Sequence, residues 1–82
     1  MNDTPLKPSQ FFINAVSPDP QPLESENYVI KTQLNNGGWT SPMGARGIHE
    51  VREFLQGQAD AAKIDEAIKN LSLYRHVHVK AA

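Results

Sequence analysis

The distribution of proline constrains this chain more than any other feature. Five of its six prolines (Pro5, Pro8, Pro18, Pro20 and Pro22) lie in the first 22 residues, and three of them alternate in Ser17-Pro18-Asp19-Pro20-Gln21-Pro22. Proline lacks the backbone donor a helix needs and pushes the residue before it toward extended geometry, so no helix crosses this stretch. Between the clusters sits Gln10-Phe11-Phe12-Ile13-Asn14-Ala15-Val16, too apolar for a solvated tail. Residues 1–25 are therefore expected as a proline-rich strap or arm, an outer strand laid over the core. The other reading is a docking segment that orders only on a partner.

From residue 26 the pattern turns regular, and residues 26–82 are expected to form a single domain. Asn27 to Leu34 is rich in β-branched and aromatic residues, with Tyr28, Ile30, Thr32 and Leu34 on one face of a strand. Asn35-Asn36-Gly37-Gly38 supplies residues that tolerate positive φ, the mark of a tight hairpin. Trp39-Thr40-Ser41 is expected to pair back until Pro42 ends the ladder. Ser41 to Gly47 reads as a loop. Ile48, Val51, Phe54 and Leu55 then recur at helical spacing, and Gly57 offers a left-handed stop. A second helix is expected from Ala59 to Leu71, broken at Asn70 and Ser72. Leu73 to Lys80 alternates again and reads as a closing strand, with Tyr74, His76, His78 and Lys80 on its wet face. The fold class that follows is α+β: a small antiparallel sheet made of the hairpin and the C-terminal strand, with or without an N-terminal strand, covered on one face by two helices.

Charge and composition narrow the chemistry. Eight Lys plus Arg against nine Asp plus Glu give a net charge of −1, which argues against both a strongly basic nucleic-acid binder and an acidic mimic of nucleic acid. The absence of cysteine removes disulfides, thiolate zinc sites and a thiol nucleophile. No apolar run approaches the ~20 residues that span a bilayer, and the N-terminus lacks the pattern of a secretory leader. The expectation is a cytoplasmic domain.

Each chemical motif has a plainer structural reading beside it. His76 and His78 lie two apart on a strand, about 7 Å between side chains, a spacing that suits one metal with His49 as a third ligand. With no carboxylate nearby, a solvated strand face is the expected reading, and no metal or cofactor is expected. Gly44 to Gly47 before a helix could cradle an anion, yet lacks the spacing of either phosphate-binding loop. Nothing assembles a nucleophile, a base and an oxyanion site, so no catalytic residue is expected.

Protein binding is what remains. Trp39, Met43 and Arg46 follow the tight turn, and Trp, Met and Arg are enriched in interface cores. They form the first candidate partner-binding patch; Tyr74, His76 and Lys80 form the second. Trp39 packing into its own sheet is the competing reading.

Gly44-Ala45-Arg46, leading into an amphipathic helix from His49 to Leu55 that stops at Gly57, resembles small phage-encoded anti-CRISPR proteins that inhibit the type I-F surveillance complex. Lys63-Ile64-Asp65-Glu66-Ala67-Ile68-Lys69-Asn70-Leu71-Ser72 is similar to that family's second helix. The resemblance covers the helical region; the proline-rich N-terminal segment and the closing strand depart from the pattern. It implies a compact, non-enzymatic phage or mobile-element inhibitor that sits on a larger bacterial protein or ribonucleoprotein complex in the host cytoplasm and blocks a defence function by steric occlusion. The alternative is a small nucleic-acid-binding accessory protein that uses the Tyr74–Lys80 strand, and a homodimer is a further option.

Overall fold

The structure, a computed structural model, describes residues 5–82. Its elements run β1 (Pro8–Ala15), β2 (Asn27–Leu34), β3 (Met43–Arg46), α1 (Gly47–Leu55), α2 (Ala61–Tyr74) and β4 (His76–Lys80). The four strands form one antiparallel sheet in the order β3-β2-β1-β4, and the two helices cover one of its faces. The α+β class expected from the pattern is the one observed.

Alternation decides which face of each strand meets the helices. Phe11 and Ile13 of β1, Tyr28 and Ile30 of β2, Ala45 of β3 and Val79 of β4 point inward and are buried. The helices answer with Val51 and Leu55 from α1, and Ile64, Ala67, Ile68 and Leu71 from α2. Phe11 meets Phe54 edge to face, ring centroids 5.4 Å apart at 89°, the orientation that the aromatic quadrupole favours.

Four local expectations are corrected. The N-terminal segment, expected as an outer strand or strap, does supply a strand, β1, but an inner one, bonded to β2 on one side and β4 on the other. Residues 1–4 of that segment lie outside the described residues. Its prolines spare the interior of the ladder: Pro8 opens the strand opposite Leu34, beside a register shift, and Pro18, Pro20 and Pro22 lie in the β1–β2 connection.

Pro42 interrupts the second ladder without ending it. Trp39 bridges Gln33, Thr40 N–H donates to the Thr32 carbonyl, and regular pairing resumes from Met43, which lies opposite Ile30. Residues 43–46, read as loop, are therefore a strand, because β2 offers them an open edge. The second helix runs past Ser72 to Tyr74. Tyr74 is therefore a helical residue, not the start of the closing strand.

That last helix end is unusual. Arg75 caps it at φ 60°, a left-handed conformation that costs a residue with a β carbon roughly 1–2 kcal/mol. Its guanidinium donates to the Ser17 carbonyl at 2.8 Å and to Glu26 Oε1 at 2.9 Å. Those contacts tie the β1–β2 connection to the α2–β4 corner and hold the strained conformation in place.

Glu26 is enclosed by donors: the Ser17 hydroxyl, the Arg75 guanidinium and the Asn27 backbone N–H at 2.9 Å. These hold its carboxyl down from 4.5 to about 2, against the opposing effect of burial. A carboxyl lowered on folding adds stability above its ordinary value and loses it as the pH falls through the folded value. Glu26→Gln is therefore expected to melt below the parent protein at neutral pH, and the gap should close as pH falls from 4.5 toward about 2. Melting curves across that range check this; a gap that stays constant with pH would refute it.

Candidate functional site

The face of the sheet away from the helices is uncovered among the described residues. Alternation brings Gln10, Phe12 and Asn14 of β1 to it, with Val29, Lys31 and Gln33 of β2 and His76, His78 and Lys80 of β4. Phe12 lies opposite Lys31 on one side and opposite His78 on the other.

Three rings form a row across this face. Phe12 and His78 stack with centroids 5.6 Å apart and planes inclined by 25°. Trp39 leans over Phe12 from the bend after the β2 turn, 5.3 Å away at 52°. Phe12 is half-buried beneath its neighbours, whereas Trp39 keeps 53% of its surface exposed. Lys31, Trp39, Thr40 and Pro42 line a shallow depression at one end of the row. Beside it, Gln10 Nε2 donates to Gln33 Oε1 at 2.7 Å, a cross-strand amide pair at the same level of the sheet.

Charge is sorted by layer. No strand residue is Asp or Glu, while the strands carry Lys31, Arg46 and Lys80. The acids of the described residues lie in the β1–β2 connection, on the helices and between them. A chain of net charge −1 thus presents an acid-free, cationic sheet face, an asymmetry the overall balance conceals.

The first sequence-derived patch is spread out by the fold. Trp39 lies on the open face opposite Gln33, and Arg46 lies opposite Asn27. Six β2 residues at about 3.3 Å each put them roughly 20 Å apart. Met43 pairs with Ile30 and so belongs to the helix side of the edge strand, where it is 43% exposed. Of the second patch, His76 and Lys80 share the open face, while Tyr74 stands on the last turn of α2, 63% exposed. The fold thus gathers Trp39, His76 and Lys80 on one surface. It keeps His78 beside them, as the wet face of the closing strand required, and adds Phe12 and Lys31, which the sequence pattern placed in no patch.

The other candidate sites separate. His49 is on α1, in the layer opposite His76 and His78, and among the described residues no three His, Asp or Glu side chains come together. The amides at the start of α1, where a glycine-bearing loop precedes a helix, are already engaged. Arg46 N–H donates to Glu50 Oε1 at 3.0 Å, Gly47 N–H to the Glu26 carbonyl at 2.7 Å, and Ile48 N–H to the Leu23 carbonyl at 3.0 Å. No helix among the described residues is long and apolar enough to cross a membrane.

Comparison of the chain with protein-family models, with curated proteins and with solved structures returned no match.

Proposed function

We propose that this chain is a non-catalytic binding module whose working surface is the open face of its sheet. In its specific form, the module is a phage or mobile-element inhibitor that covers a surface a bacterial defence complex needs. The observation that carries the binding reading is the exposed Trp39, its ring packed at a tilt against Phe12 in a face that has cations and no acid. A large ring supported from below is pre-ordered for contact, so little side-chain freedom is lost on binding. The inhibitor form is supported by the likeness of residues 44–72 to the type I-F inhibitors.

The test is a plaque assay on a bacterial host with an active type I-F system, paired with co-purification of the tagged chain. Expression of the chain is expected to restore plaques on that host and to retain the complex. Trp39→Ala is expected to weaken retention by tenfold or more, as interface tryptophans do at ~2 kcal/mol and above. Glu53→Lys, on the exposed side of α1, is expected to change nothing. If plaques are not restored the inhibitor form fails, and if the Trp39 variant is retained as well as the parent the surface is misassigned.

A further inference from the structure

We propose that the occupant of the open sheet face is a single strand of nucleic acid, its bases stacking on the Trp39–Phe12–His78 row and its phosphates meeting Lys31 and Lys80. This rests on the reading of that face as the working surface and names its partner.

Three observations on the face converge. The first is the row of rings, 5.3 and 5.6 Å between centroids, with one exposed indole at its end. Flat rings on a sheet are the usual platform for unpaired bases, because every base has a π-face whatever its sequence. The second is where the cations stand. Lys31 is directly across from Phe12 on one side, and Lys80 is across from Gln10, beside His78, on the other. Positive charge therefore brackets the row, with no carboxylate on any strand to repel a phosphate. The third is the amide pair of Gln10 and Gln33, which offers donors and acceptors to base edges at the level of the rings.

The chain's slight net negative charge is no obstacle, because the acids of the described residues lie in the other layer or in the β1–β2 connection.

Trp39 is the only tryptophan, so its fluorescence reports on the row directly. The experiment titrates the full chain with an oligothymidylate of about fifteen nucleotides, within the span of single sheet platforms. Tryptophan emission is read together with the anisotropy of an end-labelled copy. Quenching that saturates is expected, with affinity falling about sevenfold between 50 and 200 mM salt for the two phosphate contacts of Lys31 and Lys80. The double variant Lys31→Glu/Lys80→Glu, both at exposed positions, should bind at least about tenfold more weakly at low salt with an unchanged circular dichroism spectrum. Trp39→Leu, followed by anisotropy, should lose about tenfold.

A flat titration up to about 10⁻⁴ M, the upper end of non-specific affinities, would overturn the proposal. So would equal quenching by a duplex of matched length, since paired bases cannot stack on the rings. Binding indifferent to all of these substitutions would overturn it too. If the oligonucleotide fails while Trp39→Ala still releases the co-purifying complex, the nucleic-acid occupant is wrong and the face serves a protein. If neither assay responds, the surface itself is wrong.

Discussion

Gly47→Ala is expected to lower the stability of this protein by about 3 kcal/mol or more, enough to leave much of the chain unfolded. Gly47 sits at φ +78°, where a β carbon alone costs roughly 1–2 kcal/mol. A β carbon there would also overlap the carbonyl oxygen of Glu24, main chain that cannot swing aside as a side chain would. Relieving the overlap pushes the β1–β2 connection off α1 and weakens the bonds from Gly47 and Ile48 to Glu26 and Leu23, each worth about 1 kcal/mol. For a domain of this size the loss corresponds to roughly 12–24 °C in melting temperature. Gly44→Ala is the internal control: its β carbon would meet nothing within 4 Å, and its φ is not positive. It should be neutral or slightly stabilising, because glycine weakens a strand. Thermal unfolding of both variants decides the matter; a Gly47 variant melting within a degree or two of the parent would show the connection to be loosely held.

Phe11→Ala should cost about 3–5 kcal/mol, the usual range for emptying a fully buried phenylalanine site. Its neighbour Phe12, half-buried on the other face, should cost clearly less, about 1–2 kcal/mol, since its ring keeps part of its surface in water. Denaturant titration gives both numbers. The contrast tests the register of β1, because a slip of one residue would exchange the two rings and reverse the order. Equal losses would mean that β1 is not held between β2 and β4.

The two phenylalanines also show where the sequence was readable and where it was not. Asn27–Leu34 alternates cleanly, and its buried face was legible from Tyr28, Ile30 and Thr32. Phe11 and Phe12 are adjacent, so each strand face receives a ring and no alternation marks which is inside. Prolines on both sides made the segment look peripheral, although none of them sits inside the paired run from Gln10 to Ala15. Met43–Arg46 has no strand signature of its own; it is extended because β2 has an edge to fill. The end of α2 had no glycine to announce it. Arg75 takes the left-handed position through contacts with Ser17 and Glu26, residues remote in sequence. The ring row is hidden for a similar reason, since Phe12, Trp39 and His78 meet only once three segments are set in register.

The position of β1 has a consequence for how the chain reaches its fold. One side of β1 pairs with β2, which follows it closely, but the other can pair only with β4, the last strand. As the chain is made, Phe11 and Ile13 emerge ahead of α2 and β4 and lack both until some sixty further residues have been added. The sheet closes across nearly the whole described length, the kind of non-local pairing that slows folding. During synthesis, the apolar segment of β1 therefore waits for β4 before it is fully enclosed, and that interval is when a chaperone or a neighbouring nascent chain has access to it.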